Sequence, residues 1–111
     1  MNVFEFVRSL KDYSNLSDEE IYNLKPLNLS NNLLKSLPES LGNLNNLQRL
    51  LLSYNQLIFL PESLGKLSNL QKLWSGNNQL NDQAQDVLKT LVMTNSEITT
   101  LITDNFDFLR N

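Results

Sequence analysis

Leu47-Gln48-Arg49-Leu50-Leu51-Leu52-Ser53-Tyr54-Asn55-Gln56-Leu57-Ile58-Phe59-Leu60-Pro61 spells L-x-x-L-x-L-x-x-N-x-L-x-x-L-P. The same beat continues on both sides of it. Leu24, Leu47 and Leu70 are 23 residues apart, as are Leu27, Leu50 and Leu73, and Leu34, Leu57 and Leu80. Asn32, Asn55 and Asn78 keep that interval, and so do Pro38 with Pro61 and Gly42 with Gly65. A fixed period of this length marks a repeat array, in which each unit buries its apolar side only against its neighbours. Within a unit, L-x-L is a short strand whose alternate residues point inward. Successive units then stack these strands in parallel, about 4.8 Å apart.

On these residues the chain resembles the leucine-rich repeat (LRR) family. Its unit is similar to the 23-residue intracellular and bacterial type with LPxxLxxLxxL in its second half. The likeness spans about residues 21–81, with full units at 24–46 and 47–69 and a third beginning at Leu70. It implies an α/β fold, a short leucine-rich-repeat solenoid with a curved parallel sheet of about three strands and helical N- and C-terminal caps. It also implies a role in binding other proteins.

A single domain follows from a length of 111 residues. We divide it into an N-terminal helical cap (1–23), the repeats (24–81) and a C-terminal helical cap (82–111). In the first part Phe4, Val7 and Leu10 share a face at helical spacing. Ser17 and Glu20 form an S-x-x-E capping box that starts a second short helix. The third unit breaks the pattern, with Ser75 and Gln83 at leucine positions and no proline after Gln83. Asp82 is expected there as the cap of a helix carrying Ala84, Val87, Leu88 and Leu91 on one side. The stretch from Asn78 to Ala84 is similar to the helical, ribonuclease-inhibitor style of repeat. Residues 96–109 fit two patterns. Ile98, Leu101, Ile102, Asn105, Phe106 and Leu109 have helical spacing, which favours a capping helix. The β-branched run Ile98-Thr99-Thr100 instead favours a fourth, degenerate strand around 98–103.

The repeat assigns structural roles. Each of Asn32, Asn55 and Asn78 is expected to satisfy backbone groups where the chain turns away from its strand. Pro38 and Pro61 open the return segment, where a missing N–H does no harm. Gly42 and Gly65 are expected to supply a left-handed turn.

The residues between the leucines are left for function. Alternation displays Pro26, Asn28 and Ser30 on the first strand, Arg49, Leu51 and Ser53 on the second, and Lys72, Trp74 and Gly76 on the third. Two columns result: Asn28, Leu51, Trp74, and beside it Pro26, Arg49, Lys72. Asn28, Arg49, Leu51, Tyr54, Lys72 and Trp74 are the candidate protein-binding residues, because Trp, Tyr and Arg dominate binding hot spots. With Ser75 too small for its inward site, Trp74 could alternatively turn in to help fill the core. Three strands span only about 15 Å, less than a standard interface needs. A partner would therefore bind weakly, use the loops or caps as well, or be a second copy forming a homodimer.

Other chemistries find little support. The 111 residues contain no cysteine and no histidine. Disulfides, thiolate metal sites, cysteine nucleophiles and the commonest general base are thereby excluded. Neither a phosphate-binding glycine motif nor a calcium loop is present. The acidic run Asp18-Glu19-Glu20 suits the start of a helix. We expect no enzymatic activity, no cofactor and no metal. A net charge of −3 argues against nucleic acid. No apolar run reaches the roughly 18 residues of a membrane span, and Glu5 and Arg8 interrupt any secretory signal. The expected setting is the cytoplasm, with export by a specialised secretion system as the exception. The leading expectation is a small cytosolic protein-binding module. The alternative is a self-associating or vestigial repeat with no foreign ligand.

Overall fold

In the computed structural model, which describes residues 1–102, the repeated leucines fill the space between two surfaces. One surface is a parallel sheet of four strands in the order β1-β2-β3-β4: Pro26–Asn28, Arg49–Leu51, Lys72–Trp74 and Thr100–Ile102. Each strand has one inward residue at its centre, and these are Leu27, Leu50, Leu73 and Leu101, all buried. Rungs are joined by main-chain bonds beyond the strands as well. Leu29 N–H donates to Leu51 O at 2.8 Å, and the amides of Gln48 and Arg49 share Lys25 O at 2.7 and 3.0 Å.

The opposite surface carries the return segments. Pro38 and Pro61, both in extended conformation, lead into 3-10 turns at Glu39–Asn43 and Glu62–Lys66. Between the two surfaces lies one core in which Leu29, Leu41, Leu44, Leu47, Leu52, Leu57, Leu64, Leu67 and Leu70 are fully buried. In the third unit helix α3 (Asp82–Thr94) replaces the 3-10 turn, and Ala84, Val87, Leu88 and Leu91 are its buried side. Asn81, one residue before the expected Asp82, caps it by accepting from Ala84 N–H at 3.0 Å. Gln83, out of pattern in the sequence, restores a missing rung contact. Its amide donates to Leu60 O at 2.9 Å and accepts from Leu60 N–H at 3.2 Å.

The N-terminal segment consists of α1 (Val3–Arg8), a 3-10 turn at Lys11–Tyr13 and α2 (Asp18–Tyr22). The capping box of Ser17 and Glu20 is present with both of its bonds. Arg8 on α1 pairs with Asp18 on α2. The buried side of α1 is Val3, Phe6 and Val7, with Phe4 and Leu10 only half-buried. The expected stripe of Phe4, Val7 and Leu10 does meet the core, with Val7 fully buried and Phe4 and Leu10 packed against it, and Val3 and Phe6 widen the buried side.

The sheet of about three strands gains the fourth, degenerate one that was the alternative around 98–103, and two further expectations need correction. Within 96–109, Thr100–Ile102 is a strand pairing in parallel with β3, not part of a capping helix; residues 103–109 of that segment lie outside the described residues. The open ladder of β3 explains the outcome, since Thr99 and Thr100 N–H both donate to Gln71 O, at 2.9 and 3.1 Å. Finally, no glycine has positive φ. The left-handed residue at the exit of each of the first three strands is Asn31, Tyr54 or Asn77, again one repeat apart.

Candidate protein-binding face

The sheet register fixes what its outer surface displays. Pro26, Arg49, Lys72 and Thr100 stand side by side, and so do Asn28, Leu51, Trp74 and Ile102. Both columns expected from alternation therefore form, and Thr100 of β4 extends the first by one rung. Asn28 and Arg49 are exposed, while Leu51, Lys72 and Trp74 are half-buried by their neighbours on the sheet. Trp74 does not turn into the core. Ser75 itself occupies the inward site and is completely buried.

Tyr54 lies just past β2 with its side chain 60% exposed. Its φ is 59°, the conformation that Asn31 and Asn77 adopt in the neighbouring rungs. Asparagine tolerates this region, whereas other L-residues lose about 1–2 kcal/mol there. The strain at Tyr54 is consistent with a residue kept for its side chain rather than for the fold. Replacing Tyr54 by asparagine should raise the free energy of unfolding by about 0.5–1 kcal/mol, read as a higher urea midpoint with an unchanged slope.

The first rung is bounded by Tyr13, a residue the sequence did not mark. Its hydroxyl accepts from Asn28 N–H at 3.0 Å, closing the edge of β1. Asn28 in turn accepts from Ser30 N–H through Oδ1 at 3.0 Å, so it is partly engaged in shaping its own strand exit. Among the described residues, neither Arg49 nor Lys72 has an ion-pair partner. No cluster of candidate metal ligands occurs among them either.

The asparagines act in the scaffold. Asn55 is buried and bonded to two successive rungs. Asn78 repeats the arrangement, donating to Leu52 O and Ser75 O at 3.0 Å each. Asn32 departs from it: this side chain is exposed and donates to Ser30 O at 3.0 Å, since no earlier repeat stands behind it. A second ladder at the same interval, Asn23, Asn46 and Asn69, runs along the entry to the strands. Asn46 Nδ2 bridges Tyr22 O and Asn23 Oδ1 at 3.2 Å, and Asn69 Nδ2 donates to Asn45 O at 2.8 Å. Its period was visible in the sequence.

Comparisons with known proteins agree with this architecture. The family model described as Leucine Rich Repeat matches residues 23–44 and 46–67. Among solved structures, an internalin C2 from Listeria monocytogenes is similar over 92% of the chain, with 31% identity and a TM-score of 0.64. An internalin F from the same organism is similar over 84%, with 25% identity and a TM-score of 0.59. The chain spans only 36% and 28% of those two chains. A comparison with curated proteins found no match.

Proposed function

From the premise that the chain belongs to the leucine-rich repeat family, we propose that it is a non-enzymatic module that binds another protein through its strand face. The observation that carries this reading is the column of Leu51 and Trp74. Two large apolar side chains stand in register on the wet side of the sheet, where the fold does not require them. Arg49 and Lys72 flank them and Tyr54 borders them, which gives the mixture of aromatic, apolar and cationic groups found at hot spots. Four rungs extend this face from about 15 Å to about 19 Å, still narrow enough that the partner also touches the strand exits. The proposed setting is the cytoplasm, in keeping with a cysteine-free sequence.

Trp74→Ala tests the reading, because this side chain lies outside the core. A hot-spot truncation costs at least about 2 kcal/mol, roughly thirty-fold in Kd. The wild type, Trp74→Ala and Lys66→Ala, the last on the return surface, are immobilised and exposed to lysate of the source organism. The proposal expects at least one protein to be held by the first and third and lost by the second. Equal recovery of every protein by all three would reject the strand face. A stable dimer in the ultracentrifuge, with Trp74 shielded from quencher, would replace the foreign partner with a second copy.

A further inference from the structure

Arg49 and Lys72 are direct cross-strand partners on the outer surface. Like charges placed opposite each other on a sheet repel and destabilise it. Nothing among the described residues relieves that repulsion, since the ion pair found there joins Arg8 to Asp18. Lys25, exposed at the entry to β1, adds a third cation at the same end of the face. None of the four strands carries a carboxylate. Glu39 and Glu62 lie on the return turns and Asp82 and Asp86 on α3, while Asp12, in the turn Lys11–Tyr13, borders the first rung beside Asn28 and Ser30. In a chain of net charge −3, the two middle strands thus carry a cationic pair and no carboxylate.

We propose that this face takes an acidic peptide segment of the partner, with carboxylates on Arg49 and Lys72 and an apolar side chain on Leu51 and Trp74. The inference rests on the strand-face reading and specifies its ligand. The cationic and apolar columns are two residues apart along each strand, about 6.6 Å. An extended segment matches that spacing with alternate residues, one acidic and one apolar. A carboxylate between the two cations converts their mutual repulsion into a pair of charge-assisted bonds. The tally of cations is too small for a nucleic-acid backbone, where several phosphate contacts supply the affinity.

The experiment pans a display library of random short peptides against the full-length wild type, the Arg49→Glu/Lys72→Glu double variant, an Arg49→Gln/Lys72→Gln control and Trp74→Ala. All substituted side chains lie outside the core, and circular dichroism verifies each fold. The expected result is enrichment by the wild type of peptides with Asp or Glu beside Leu, Phe or Trp. Their affinity falls at least about ten-fold on the glutamine control, and the charge-reversed variant selects Lys or Arg instead. Peptides without acidic bias, lost on Trp74→Ala but indifferent to charge reversal, would overturn the acidic ligand and leave the strand face standing. Peptides bound equally by all four proteins would overturn both readings. Failure to enrich any peptide also counts against the proposal. So would an oligothymidylate that binds the wild type tightly and is lost on charge reversal, since it would make the ligand a polyanion.

Discussion

Replacing Asn55 by alanine should lower the free energy of unfolding by about 3 kcal/mol, whereas Asn32→Ala, at the same place in the preceding unit, should change it by less than about 0.5 kcal/mol. The difference follows from what each amide holds. Asn55 Nδ2 donates to Leu29 O at 2.9 Å and Leu52 O at 3.0 Å, one carbonyl from each of two adjacent rungs. Its Oδ1 accepts from Asn32 N–H at 2.9 Å and Leu34 N–H at 3.1 Å. Alanine strips three of these groups of their side-chain partner, while Leu52 O keeps the bond from Asn78 Nδ2 at 3.0 Å. The amides lie near the surface and can be rehydrated in part, but the carbonyl of Leu29 belongs to a fully buried residue. Each buried group left unpaired costs about 1–3 kcal/mol. Asn32 is exposed and satisfies only Ser30 O, which water can reach. Urea unfolding of the two variants, followed by circular dichroism, reads the difference directly. Equal losses would mean that the asparagine position matters for the turn alone and not for joining rungs.

This pair of residues also shows what was legible in the sequence. A period of 23 residues was sufficient to place strands, inward leucines and both outer columns, because stacking in register converts sequence spacing into spatial adjacency. The same logic treated Asn32 as equivalent to Asn55, although a stitch between rungs needs an earlier rung to hold. Tyr13 left no local signal, since its contact with Asn28 crosses 15 residues and depends on how the first cap folds back. The second asparagine ladder did leave one, at the interval already in use. Segment 96–102 was ambiguous for a different reason. Its apolar spacing suits helix and strand alike, and the unpaired edge of β3 settles it by offering Gln71 O to Thr99 and Thr100. Tyr54 was found for its chemistry, but its left-handed backbone, the feature that makes it unusual, has no sequence signature apart from the asparagines at 31 and 77. How the outer face is used depends on a partner's shape, and the repeat constrains the scaffold far more tightly than it constrains the side chains left wet.

Gly42→Ala should destabilise the chain by about 3 kcal/mol, while Gly65→Ala, one repeat later, should be neutral or stabilising by up to about 1 kcal/mol. Neither glycine has positive φ, so conformational freedom explains neither. The distinction lies in the neighbouring rung. A Cβ on Gly42 would sit 2.3 Å from Ser63 O and 2.5 Å from Ser63 Cβ, closer than atoms can approach. Ser63 cannot simply move aside, because its hydroxyl donates to Glu39 O and its N–H donates to Glu39 Oε1 at 3.1 Å. The clash would therefore either part the two 3-10 turns or break the bonds that hold them together. A Cβ on Gly65 would meet nothing within 4 Å. The space left is a groove of about 620 Å³ lined by Glu62, Gly65, Gln83, Asp86, Val87 and Thr90. An alanine methyl there meets solvent, and the unfolded chain loses some of its freedom. Because the two sites share residue type and repeat position, their difference in unfolding free energy isolates the contact between return turns. Comparable destabilisation at both would show that the glycines act through backbone conformation after all, and that the close approach at Ser63 is not what fixes the spacing of the rungs.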